Sequence, residues 1–183
     1  MKKLGLISFL ILIMATMSFA QADIGLKAIG GKVSFVMPED PIESTIGFGA
    51  VADLGTITDA IHLDAFAEYW GKSYDVGHYE WSYSIITIGA TAKYYFEMDS
   101  QFKPYAGGGL GLIISSVKSD YSGEYSQYVT NISDSDTDID FHICGGAEYE
   151  LSDTMVGFAE AKYSLGGIDT FIISGGVLFK LGQ

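Results

Sequence analysis

From Ile61 to Trp70 the chain alternates strictly, with Ile61, Leu63, Ala65, Ala67 and Tyr69 on one side and His62, Asp64, Phe66, Glu68 and Trp70 on the other. The same period of two runs through Ile86–Phe96, Ile139–Leu151 and Phe171–Leu181. A strand sorts such residues onto two faces, whereas a helix would spread them around its circumference. Ile46–Leu54, Met155–Leu165 and Tyr105–Ile114 follow the pattern less sharply, the last interrupted by Gly107, Gly108 and Gly109. The first segment, Ile24–Val36, changes parity near Gly30-Gly31, which predicts a bulge there. These segments make eight strands.

The connections alternate in length. Short polar turns are expected at Gly55–Ala60, Glu97–Lys103 and Ser152–Thr154. Longer loops are expected at Met37–Thr45, Gly71–Ser82, Ser115–Thr137 and Gly166–Thr170. Such alternation predicts antiparallel neighbours, one plain end and one decorated end, with both termini at the plain end. The fold class is therefore all-β, an eight-stranded antiparallel up-and-down barrel.

Alternation does not itself say which face looks inward. A soluble ligand carrier would turn its apolar face in. Here the aromatics of the apolar face gather near strand ends: Tyr94, Phe96, Tyr149 and Phe179 at the turn end, Tyr69, Phe141, Tyr163 and Phe171 at the loop end. Aromatic girdles of that kind mark the two interfaces of a membrane barrel. The other face sets Asp64, Glu68, Lys93, Glu148, Glu160 and Lys162 among Gly, Ser and Thr. Eight strands enclose only enough space for side chains to fill, so these six are expected to form a charge network in the lumen. The expected register sets Glu160 and Lys162 opposite Gly176 and Ser174, small residues that leave room for them.

The N-terminus supports export. Lys2 and Lys3 precede an apolar run from Leu4 to Met17, and small residues follow at Ser18, Ala20 and Ala22. Residues 1–22 read as a signal peptide and 23–183 as a single barrel domain of about 160 residues. The chain carries 23 Gly, 12 Tyr and 11 Phe, a composition suited to strands and tight turns. Its formal charge is −13 and it has no Arg, which argues against nucleic acid. One cysteine, Cys144, leaves no internal disulfide to form.

Phe102-Lys103-Pro104-Tyr105-Ala106-Gly107-Gly108-Gly109-Leu110-Gly111 and Gly157-Phe158-Ala159-Glu160-Ala161-Lys162-Tyr163 resemble segments of the small outer-membrane β-barrel domain family, of which the OmpA and OmpX types are members. The resemblance implies an outer-membrane location and a monomer, with outer-membrane lipid as the partner of its exterior. It does not imply a particular activity. Relatives usually end on an aromatic residue, whereas here Phe179 is followed by Lys180-Leu181-Gly182-Gln183. No peptidoglycan-binding domain is expected after the barrel.

Two constellations invite chemistry. His142 should face Ser164, with Asp140 two residues along, which could assemble a nucleophile, a base and an orienting acid. Those side chains face the interior, while a lipid substrate would approach from outside, so an internal hydrogen-bonded network is expected instead. Asp134-Ser135-Asp136-Thr137-Asp138 has the spacing that opens a calcium loop. It lacks Gly at the sixth position, where Ile139 stands, and Glu at the twelfth, where Gly145 stands. No catalytic residue, metal site or cofactor is assigned. The expected function is structural or adhesion-like, through extracellular loops, with Tyr121, Tyr125 and Tyr128 as the candidate binding loop for a surface partner. The alternatives are an enzyme acting on outer-membrane lipid and a small-solute porin.

Overall fold

The structure is a computed structural model that describes residues 22–76, 79–98, 100–121 and 132–182. The expected signal segment lies outside them, apart from Ala22. Eight strands run in chain order: β1 (Asp23–Pro38), β2 (Thr45–Thr58), β3 (Ile61–Val76), β4 (Tyr79–Tyr95), β5 (Phe102–Tyr121), β6 (Ile132–Ser152), β7 (Met155–Leu165) and β8 (Thr170–Lys180). Each pairs antiparallel with the next, and β1 pairs with β8 to close the barrel. Closure leaves no sheet edge inside the membrane, where an unpaired backbone group would find no water.

The alternation decides the faces. Ile88, Leu112, Ile139, Phe141, Ile143 and Ile173 are exposed, while Lys32, Asp64, Glu68, Lys93, Glu160 and Lys162 are buried. The apolar face therefore looks out to lipid. All eight girdle aromatics named above lie on this exposed exterior.

Four expectations need correcting. The irregularity in β1 falls between Ile24 and Ala28, ahead of Gly30-Gly31, and it moves the exterior from Ile24 and Leu26 to Ile29, Val33 and Phe35. The turn end is tighter than expected, because β2 continues to Thr58 through an irregularity at Gly55 (φ 88°). Glu160 and Lys162 stand opposite Ser174 and Ile172, one pleat away from the expected partners, and Phe158 takes the place opposite Gly176. Gly176 leaves that space because an added Cβ would lie 2.5 Å from the Phe158 ring.

The fourth correction concerns the loops. Most of Gly71–Ser82 and Ser115–Thr137 is strand. β3 and β4 stay paired to Val76↔Tyr79, β4 and β5 to Tyr79↔Tyr121, and β5 and β6 to Ser119↔Ile132. On these four strands the outward positions change character together. Below, they are Tyr69, Ile86, Ile114 and Ile139; above, they are Gly71 and Ser73, Ser84 and Ser82, Ser116 and Lys118, Thr137 and Ser135. Apolar side chains stop where hydrocarbon stops, so this row marks the membrane boundary. Above it, β3 to β6 continue as a four-stranded wall in water. By contrast, β7 and β8 end at Leu165 and Thr170 and are joined by residues 166–169 alone.

Candidate functional site

The lumen is filled by two linked groups of charges. In the first, Glu68 of β3 takes ion pairs from Lys32 of β1 and Lys162 of β7. Lys32 also lies 3.6 Å from Glu160. The Phe66 ring sits beside both ammonium groups, at 5.6 Å from Lys32 and 4.4 Å from Lys162. In the second, Lys93 of β4 lies 2.5 Å from Asp64 and 3.8 Å from Glu148, above the Tyr105 ring at 4.4 Å. Four carboxylates face three ammonium groups, and two phenols supply the missing donors. Tyr105 donates to Glu160 at 3.0 Å and Tyr95 donates to Glu148 at 2.5 Å. Buried charges persist only when paired and hydrogen-bonded in this way. The space left among these groups amounts to about 10 Å³.

The structure thus gathers Asp64, Glu68, Lys93, Glu148, Glu160 and Lys162 into one interior, and adds Lys32, which sequence reasoning missed. Glu160 and Lys162, neighbours on one strand face, take different partners. Lys162 reaches Glu68, and the cation paired with Glu160 is Lys32.

A third polar group uses the catalytic candidates. The register sets His142 opposite Ser164. Ser164 donates to Asp140 Oδ1, while Asp140 Oδ2 lies 2.8 Å from His142 Nδ1. His142 Nε2 is 2.9 Å from Thr91 Oγ1. The hydroxyl bonds the acid, and the base bonds a threonine, so the order is serine–aspartate–histidine–threonine. All four side chains are buried. A nucleophile needs the base on its own proton and a path for substrate; in this group the serine proton goes to Asp140 and all four side chains are enclosed.

Above the polar groups, Val36, Trp70, Ile85, Ile113 and Ile172 form an apolar layer, with Ile42, Tyr83 and Ile168 packed on it. Below them the turn end opens as a vestibule of about 720 Å³, reached by His62, Tyr95, Glu148 and Lys103. At its water-facing rim, past Tyr149, Lys103 and Lys180 lie 3.0 and 3.3 Å from Glu150. Their hydrogen bonds and charge hold its carboxyl below the usual range.

Asp134, Asp136 and Asp138 lie on strand β6. Asp134 accepts from the backbone N–H of Ser135 at 2.9 Å, and Asp136 from that of Thr137 at 2.8 Å. Among the described residues no group of three His, Cys, Asp or Glu side chains is placed to hold a metal ion. Tyr121 closes β5, its backbone opposite Tyr79; Tyr125 and Tyr128 lie outside the described residues.

Comparison with known proteins agrees with this architecture. Neisserial surface protein A superposes with a TM-score of 0.66 at 20% identity, over 84% of this chain and 96% of that one. OprG of Pseudomonas aeruginosa gives 0.57 at 14% identity, over 91% and 100%. Ail, the attachment invasion locus protein of Yersinia pestis, solved with the heparin analogue sucrose octasulfate, gives 0.56 at 12% identity, over 85% and 97%. At these identities the likeness concerns the fold. No curated protein matches the sequence. The outer membrane protein beta-barrel domain family matches residues 6–177. The closed eight-stranded barrel with its apolar exterior agrees with that description, and this chain belongs to the family, as a protein of the bacterial outer membrane.

Proposed function

We propose that the protein acts at the cell surface, as an envelope-structural or adhesion-like protein that works through the loop end of a closed barrel. The observation that carries this reading is the contrast between the two parts of the molecule. The lumen is packed, with about 10 Å³ left among its charges and an apolar layer above them. The β3–β6 wall, by contrast, carries structure well beyond the membrane boundary. A packed lumen disfavours a porin. The serine–aspartate–histidine–threonine order, buried and out of reach of lipid, disfavours a lipid-modifying enzyme. We infer a monomer, because closure satisfies every strand within the membrane.

The character of a partner follows from charge. The loop end presents Glu39, Asp40, Glu43, Asp134, Asp136 and Asp138, against Lys72 and Lys118. Lys72 is itself engaged by Glu43 at 3.0 Å. Ail was solved with a polysulfated ligand; an acidic rim repels such a ligand and favours a neutral or basic surface. Recognition through the connection after Tyr121, with Tyr125 and Tyr128, would use tyrosines as contact area among small polar residues.

The test replaces Gly123–Thr130 with a short Gly-Ser turn. The barrel should still fold, because the described strand pairing ends outside this segment. Adhesion of cells displaying equal amounts of the protein should fall. Full adhesion by the shortened protein would move recognition elsewhere, and deacylated or reacylated lipid A after incubation with the purified barrel would replace this reading with an enzymatic one.

A further inference from the structure

The β3–β6 wall leaves the barrel with a free margin in water. β7 pairs with β6 only as far as Phe141↔Leu165, whereas β5 stays with β6 to Ser119↔Ile132. Above Phe141, β6 therefore has a partner on one side alone among the described residues. In an antiparallel ladder, alternate residues turn their N–H and C=O groups to the same neighbour. The Asp136 carbonyl lies on the β5 side, where Ser115 Oγ reaches it at 3.5 Å, and the Ile139 carbonyl lies on the other side, against Gly166. The odd-numbered groups of this stretch thus face the free margin. Near Asp138 and Ile139 the β7–β8 connection covers it, with Gly166 and Gly167 packed so closely that a Cβ would meet β6. Higher up, no described strand takes the amides of Ser135 and Thr137.

Those two amides are the ones already bonded, to the carboxylates of Asp134 and Asp136 at 2.9 and 2.8 Å. We propose that Asp134 and Asp136 close the β6 margin to strand addition, and that the partner they exclude is a second copy of this chain meeting it margin to margin. Two copies on facing membranes would bring their β6 strands together antiparallel, the arrangement that sheets extend most readily. An incoming strand would have to displace both carboxylates from the amides, and a second copy would bring its own Asp134 and Asp136 into the same seam. Asp134 and Asp136 are thus explained by the N–H groups that follow them.

The experiment compares two double variants of the full chain in detergent micelles, which leave the loop ends free to meet. Asp134→Ala with Asp136→Ala removes acceptor and charge, while Asp134→Asn with Asp136→Asn removes the charge and keeps a side-chain oxygen. Heat-dependent gel migration verifies that each barrel is folded. Light scattering coupled to size exclusion should give the single-barrel mass for the parent and the Asn pair, and twice that mass for the Ala pair. Amide exchange at Ser135 and Thr137 should accelerate at least tenfold in the Ala variant at concentrations too low for pairing. A folded Ala variant that stays single, or one whose Ser135 and Thr137 amides exchange at the parent rate, would overturn the proposal. So would an Asn pair that associates as strongly as the Ala pair, since charge repulsion alone would then be at work.

Discussion

Asp64 illustrates how tightly the interior is matched residue by residue. Its ion-pair partner among the described residues is Lys93, which also serves Glu148. Glu68, by contrast, holds two lysines, Lys32 and Lys162. Removing one partner of a buried pair strands the other charge, so Lys93→Met should destabilise the barrel by about 3–5 kcal/mol. Lys162→Met leaves Glu68 with Lys32 and should cost roughly half as much. Urea unfolding in detergent or vesicles measures both; equal losses would show that Lys32 does not compensate Glu68 for the loss of Lys162. Ser164→Ala is a third case. It deprives the fully buried Asp140 of the donor on Oδ1 and should cost about 1–3 kcal/mol.

At the scale of strands, the interior glycines decide how closely backbone and side chains approach. A Cβ on Gly109 would lie 2.0 Å from the Ala90 carbonyl oxygen and 2.7 Å from His142 Nε2. Gly109→Ala should therefore push β5 from β4, break the His142–Thr91 bond and lower the unfolding midpoint clearly. Gly145→Ala, where the nearest atom is the Tyr105 carbonyl oxygen at 3.8 Å, should be tolerated. Thermal unfolding of the two variants side by side is the check. Within the membrane the strands were legible because lipid on one side and charge on the other force a period of two. Above the membrane boundary that contrast disappears, because both faces of the wall meet water. Ser115–Lys118 and Asp134–Thr137 therefore read as loop although they are paired strand. Lys32 was legible too: it follows the parity change whether that falls at Gly30-Gly31 or between Ile24 and Ala28, and it alternates with the exposed Val33 and Phe35. The neighbours Asp140, His142 and Ser164 were legible as a group, but their bonding order depends on side-chain rotation within the lumen, which spacing does not encode.

For the whole molecule, closure and a filled lumen set the behaviour. The folded barrel should resist detergent at room temperature and shift in gel migration after boiling, with a single transition, since no strand can leave without opening the ring. Vesicles loaded with the protein should not swell in solutions of small sugars. Rapid swelling would mean that the charges and the apolar layer around Trp70 and Ile85 part readily.

The unequal height of the two sides has a consequence for access. β3 to β6 rise beyond the bilayer while β7, β8 and their four-residue connection stay low, so the top of the barrel resembles a bay with one open shore. A bulky visitor gliding across the membrane from the β7–β8 side meets Ile168 and the inner surface of the wall, while one arriving from the opposite side meets a back that carries Ser73, Ser84, Ser116 and Ser135. A bulky protein docking along the bilayer should therefore reach the inner surface of the wall across the low β7–β8 shore, whichever way the barrel happens to be turned.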